Sequence, residues 1–162
     1  MLCRWFGTGN HDLSLDPSSV SPDAAAEEHN NSRELLSSIP GVTYLQHTSA
    51  LITLPDKDLS FRVFASPHSP FRPQSGRYTA FQYPSPEAET LWNTIPADTD
   101  VLITHTPPAG ICDTSQHFPD GGCPALLKAL GRVRPAMHIC GHCHEGRGRR
   151  CCVGMMMVGW IG

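Results

Sequence analysis

Two short apolar runs that end in histidine constrain this chain more than any other part of it. The first, Asp100-Val101-Leu102-Ile103-Thr104-His105, is stopped by Thr106-Pro107-Pro108. The second, Met137-His138-Ile139-Cys140, is stopped by Gly141 and followed by His142-Cys143-His144-Glu145-Gly146. Runs of this length, closed by proline or glycine and carrying β-branched residues, read as buried strands. In open α/β sheets ligands are held at the carboxyl edge of such strands, so each run delivers imidazole to a place suited to binding. Between them, residues 124–133 set Leu126, Leu127, Leu130 and Val133 at helical spacing, which predicts an amphipathic helix lying on the sheet. A third histidine-bearing site, Gly9-Asn10-His11-Asp12, lies near the start of the chain.

The remaining elements follow from punctuation. Ser21-Pro22-Asp23 opens a helix expected within 23–38, which Pro40-Gly41 stops. Alternation over 42–46, 50–54 and 61–65, with a turn signal at Pro55-Asp56-Lys57-Asp58, predicts a three-stranded meander across 42–65. Residues 66–86 form a long proline-rich loop holding Phe71, Tyr78, Phe81 and Tyr83, with Arg72 and Arg77 placed to frame a pocket. Pro86-Glu87 starts a helix over 88–95 that Pro96 ends. Residues 2–6 offer at most the end of a strand, and nothing past Gly148 shows a usable period.

A chain of 162 residues is one domain by length. Its net charge of -3 argues against nucleic acid or membrane as a partner, and no window approaches the roughly 18 apolar residues of a membrane span. Seven cysteines, an odd number, without a recognisable signal peptide fit free thiols in a reducing, cytoplasmic setting better than a disulfide framework.

Nine histidines against 12 Lys+Arg invite a metal reading. Neutral imidazole is the commonest side-chain ligand for transition metals. His142 and His144, one residue apart beyond a strand, can face one ion or two, and His105 can complete the cluster. Asn10 adds a neutral carbonyl oxygen, and Asp12 can orient a ring such as His11. His29, His47, His68, His117 and His138 stand alone in sequence and read as surface or hydrogen-bonded residues. Two other readings compete for the same tail. Cys140-Gly141-His142-Cys143-His144 matches the Cys-x-x-Cys-His attachment signature of c-type haem. Cys140, Cys143, His144 and Cys151 or Cys152 could instead form a structural zinc site in a non-catalytic binding or interaction module.

Taken in order, Gly9-Asn10-His11-Asp12, then His105 after an apolar strand, then Gly141-His142-Cys143-His144 resemble the last three motifs of the calcineurin-like metallophosphoesterases. The resemblance is closer to the metallophosphoesterase-domain (UPF0046-type) branch, through residues 9–16, Ala65-Ser66-Pro67, Phe81-Gln82-Tyr83, 95–108, Gly122-Cys123-Pro124, 132–135 and 141–148. It implies an α/β fold, a partial α/β/β/α sandwich lacking the N-terminal strands and the last C-terminal strands. Residues 1–148 would be the partial phosphoesterase domain and 149–162 an unmatched C-terminal tail. It also implies a hydrolase of phosphate mono- or diesters, with small-molecule substrates that include cyclic nucleotides. Family members use two divalent ions, Mn, Fe, Zn or Ni, which clamp the attacking and leaving oxygens. In the implied roles Asn10, His105 and His142 hold one ion and His144 belongs to the other, while His11, partnered by Asp12, contacts the phosphate. The family's Asp-x-His triplet occurs nowhere in the chain, and its Gly-Asp motif is not found ahead of Gly9. The expectation is therefore a site reduced to one ion, with activity weakened or lost.

Overall fold

The computed structural model describes residues 4–6, 8–18, 22–73, 79–116, 121–152 and 155–159, and the side chains at 4–6, 22–26, 150–152 and 155 fall outside what it describes. In chain order the elements are β1 (Arg4–Phe6), α1 (Pro22–Ser38), β2 (Val42–Tyr44), β3 (Thr48–Leu54), β4 (Leu59–Ser66), β5 (Ser69–Pro70) and β6 (Gln82–Tyr83). They continue with α2 (Ala88–Asn93), β7 (Val101–Thr104), α3 (Pro124–Val133), β8 (Met137–Cys140), β9 (Arg149–Cys152) and β10 (Met155–Val158).

The two histidine-ended runs are neighbouring strands of a six-stranded sheet, ordered β3-β4-β7-β8-β10-β9. Strands β4, β7, β8 and β10 run parallel, and β3 and β9 close the sheet antiparallel at either end. The result is a mixed α/β architecture, as the sequence predicts.

Side chains alternate along each strand, and the sheet separates them cleanly. Phe64, Leu102 and Met157 point to the helical side, where they pack with Trp92, Ile95, Leu126, Leu130 and Val133. Val63 and Ala65 point the other way and form a second cluster with Leu45, backed by Ala50, Ile52, Phe61, Val101 and Ile103. Helix α3 supplies the first cluster because Leu126, Ala129, Leu130 and Val133 share one face. Its boundaries are chemical. Pro124 occupies the first turn, the Cys123 thiol accepts the Leu126 N–H at 3.4 Å, and Arg134 turns left-handed (φ 53°) to end the helix.

One expectation is corrected. Residues 42–46 do not join a meander. Val42–Tyr44 pairs in parallel with Arg4–Phe6 in a separate two-stranded sheet, and the antiparallel hairpin contains β3 and β4 alone. The break has a physical cause, since Leu45 turns inward to 8% exposure and His47 takes a left-handed φ of 49°, redirecting the chain. The stretch after Gly148, for which the sequence shows no usable period, forms the β9–β10 hairpin. Strand β10 joins the sheet against β8, with Met157 opposite His138. Its run of methionines shows no alternation in sequence, yet the strand alternates in burial, with Met157 buried and Met156 42% exposed. Within the proline-rich loop β5 and β6 pair in parallel.

Leu126 is fully buried and Leu127 is 42% exposed. Leu126→Ala is expected to cost about 2–5 kcal/mol in urea denaturation, while Leu127→Ala should change stability by about 0.5 kcal/mol or less.

Candidate metal centre

Strands β4, β7 and β8 finish level, because Ser66, Thr104 and Cys140 lie side by side in register. The ladder runs one residue further: the His105 N–H donates to the Ser66 carbonyl at 3.0 Å, and the Gly141 N–H to the His105 carbonyl at 3.0 Å. Thr104 faces the helices, so alternation turns His105 to the opposite side of the sheet. The segment around Asn10 meets it there. Asp12 folds this segment on itself, its carboxylate accepting the Gly9 N–H at 2.6 Å while its own N–H donates to the Gly9 carbonyl at 3.0 Å. A second carboxylate fastens the fold to the 79–83 segment. Buried Asp16 accepts the Phe81 N–H at 2.6 Å and the Ser18 N–H and hydroxyl at 3.0 and 2.7 Å, and the Ala80 N–H donates to the Asn10 carbonyl at 2.8 Å. Gly9 has to be glycine, because a Cβ there would lie 2.7 Å from Cγ of the His105 ring and still closer to Cε1 and Nδ1.

Three ligand atoms converge as a result. Nε2 of His105 lies 2.7 Å from Oδ1 of Asn10 and 3.0 Å from Nδ1 of His142. The rings cross at 64° with centroids 4.8 Å apart. His142 reaches this position through a left-handed φ of 67°, an uncommon conformation for a branched or bulky residue and one that tends to occur where a side chain must be aimed. Both imidazoles stay neutral. Burial pushes His105 down to about 3, helped by the neighbouring His142, and burial with the nearby Arg72 charge pushes His142 down to about 4. Neutral rings leave one shared proton at most between two imidazole nitrogens and an amide oxygen that face one another. Donors arranged so are what a metal ion fits: ligands about 2.1 Å from one ion lie roughly 3 Å from each other.

The other expected residues surround this trio. His11, Asp12 and His144 line the same cavity of about 470 Å³ as His105 and His142, with Ala65, Ile103 and Ile139 beneath. His11 and His144 are exposed. Among the described residues no hydrogen bond joins Asp12 to His11, and the Asp12 carboxylate instead holds the loop closed. Asn10, His105 and His142 are therefore brought together, with His11 and His144 at the rim. Among the described residues no group of three His, Cys, Asp or Glu side chains is placed to hold a metal. The trio draws its third donor from an amide. Among the described residues Cys140, Cys143 and His144 form no such group either, the two thiols being buried and His144 exposed. The side chains of Cys151 and Cys152 lie outside the described residues, as does His117. Burial raises the Cys140 and Cys143 thiols to about 12 and about 11, so both are held as thiols.

Sequence reading passed over the other contributors. His138 is completely buried in β8 and pushed down to about 3 by burial, while His47 and His68 meet at Ser66. Their separation in sequence gave no sign of a joint role. The Ser66 carbonyl that receives the His105 N–H could have been anticipated once β4 was set beside β7.

Known proteins share this chain's sequence over most of its length. A nematode (Caenorhabditis elegans) UPF0046 protein is 35% identical over 146 residues, covering 86% of this chain and 45% of that protein. The human metallophosphoesterase domain-containing protein 1 is 29% identical over 155 residues, covering 86% of this chain and 44% of that one. By descent, the chain is a UPF0046-type metallophosphoesterase-domain protein. It spans less than half the length of those two relatives. A probable rhamnogalacturonate lyase C from Emericella nidulans is 35% identical over 143 residues, which cover 87% of this chain but 12% of that protein. No protein-family model matches the chain. A solved crystal structure superposes with a TM-score of 0.61 over 97% of this chain and 56% of its own, at 17% identity, and supports the fold. No helix among the described residues is long and apolar enough to cross a membrane.

The neutral imidazoles set a pH dependence. In the unfolded chain histidine takes up a proton near 6.5, whereas folded His105, His142, His68 and His138 resist protonation down to about 3 or 4. Below 6.5 the unfolded state therefore binds more protons, and stability falls with pH. The urea midpoint is expected to hold level above pH 6.5 and to drop steadily between 6.5 and 4. Replacing His138 with an apolar residue should flatten that slope.

Proposed function

We propose that the chain holds one divalent metal ion at Asn10, His105 and His142 and acts with it on a small phosphate ester. The observation that carries this reading is that His105 Nε2 lies 2.7 Å from Asn10 Oδ1 and 3.0 Å from His142 Nδ1. Two imidazoles and an oxygen donor suit Mn, Fe, Zn or Ni. A divalent ion held there would supply Lewis-acid stabilisation of charge on a phosphoryl oxygen. The chain's own residues would do the rest. His11, exposed on the rim, is placed to meet the phosphate and the departing group. Asp12 keeps the loop closed so that Asn10 stays opposite His105, and His144, at the rim of the same cavity, would serve a second ion or the substrate.

Kinship favours hydrolysis of phosphate mono- or diesters, cyclic nucleotides among them, in a cytoplasmic setting. The three gathered donors carry no negative charge, so an ion here would be held less tightly than one with a carboxylate ligand and would activate water less well. Weak turnover is the expected consequence.

Calorimetric titration with Mn²⁺ is expected to show one site, and His105→Ala or His142→Ala should abolish it. The double variant Cys140→Ala/Cys143→Ala should leave binding intact. With Mn²⁺ present, an aryl phosphodiester should be hydrolysed slowly, and His11→Ala should lower kcat about 10²-fold, the scale of a lost general acid. Mn²⁺ binding that survives both histidine variants would overturn the reading.

A further inference from the structure

A chain of hydrogen bonds runs beside the site, and its protons have a single arrangement. The Thr94 hydroxyl donates to the Leu91 carbonyl at 2.6 Å, so it can only accept from Nε2 of His47, 2.8 Å away. His47 therefore carries its proton on Nε2. It is packed against the rings of Phe64, Trp92 and His68, and burial lowers its pKa. The neutral ring presents a lone pair at Nδ1, which accepts the Ser66 hydroxyl at 3.0 Å. That uses the one proton Ser66 has. Nδ1 of His68, 3.0 Å from the same oxygen, must then donate to it. Burial also keeps His68 neutral, with its pKa pushed down to about 4, so its proton sits on Nδ1, the less common tautomer of free imidazole.

This chain grips both sides of His105. The Ser66 carbonyl accepts the His105 N–H at 3.0 Å. The His68 carbonyl accepts the Thr106 hydroxyl at 3.0 Å, and the Thr106 carbonyl accepts the Thr104 hydroxyl at 2.6 Å. With its own proton spent, Thr104 accepts from Nε2 of fully buried His138 at 2.9 Å, which leaves Nδ1 of His138 without a partner. Residues 104 and 106 are thus each tied down by a side-chain bond, and residue 105 between them by the last bond of the sheet ladder. A left-handed φ of 49° at His47 shows that the backbone accepts an unusual conformation to bring that ring to Ser66.

We propose that Ser66, proton-ordered between His47 and His68, is a positioning residue that fixes His105 in the geometry the metal requires. The proposal rests on the reading of Asn10, His105 and His142 as a metal trio. Shells outside the ligands commonly set metal affinity in this way.

Three measurements on the full chain test it. Two-bond ¹H–¹⁵N correlation spectra of the metal-free protein should show His47 protonated on Nε2 and His68 on Nδ1. Ser66→Ala and His68→Leu should speed exchange of the His105 amide proton about tenfold relative to wild type, as expected when a local bond is released. The same variants should weaken Mn²⁺ binding roughly tenfold. His68→Asn, whose amide can donate where Nδ1–H did, should restore both. If wild type binds no Mn²⁺, the metal reading fails, and the tautomers with the His105 exchange rates decide the positioning role alone. If a variant does not fold, the wild-type spectra decide. Both rings protonated on Nε2, or a His105 amide indifferent to Ser66→Ala and His68→Leu, would overturn the proposal.

Discussion

Everything at the site depends on the parallel register of β4, β7 and β8. Because Ser66, Thr104 and Cys140 lie level, the residues that follow leave the sheet together. A slip of one residue would reverse every side chain on the shifted strand. His105 would then point into the cluster of Trp92 and Leu126, and Leu102 into the cavity. The apolar alternation that builds two cores is thus the same constraint that aims the imidazole. Folding energy and site geometry are set by a single choice of pairing.

Neutrality is the second theme. Histidines 47, 68, 105, 138 and 142 all have their charged forms disfavoured by burial. An uncharged imidazole has one donor and one acceptor, so each ring must be oriented correctly to satisfy its neighbours. Hydroxyls of Ser66, Thr94 and Thr104 absorb the consequences, each donating one way and accepting the other. Near the trio, Nε2 of His105 faces both Asn10 Oδ1 and His142 Nδ1.

Much of this was legible in the sequence, and the limits are physical. The strands expected at 100–104 and 136–140 and the helix at 124–133 announced themselves because their patterns are local: apolar runs with proline or glycine at the ends, and leucines at helical spacing. Asn10, His105 and His142 were identified through motif order, and they do meet. Val42–Tyr44 was misassigned because its alternation says that it is a strand but not which strand it pairs with. The hairpin β9–β10 was missed because a methionine-rich run carries little period and earns its place by contact with β8. The linkage of His47 to His68 through Ser66 was invisible for a similar reason. It joins residues whose relation is created by strand pairing, and a lone histidine in a sequence looks the same whether it faces solvent or a serine.

The sheet's two borders differ in how they meet the outside. At one end β9 carries Arg149 and Arg150, and charge along a border strand discourages another strand from adding to it. At the other end β3 reads Thr48-Ser49-Ala50-Leu51-Ile52-Thr53-Leu54, without a charge or a proline, and Leu51 is 62% exposed. Short uncharged segments of this kind are templates for intermolecular strand addition. The hairpin that builds the cavity wall therefore also presents, among the described residues, an uncharged border strand with open pairing groups. Crowding the molecules together brings such borders within reach of one another.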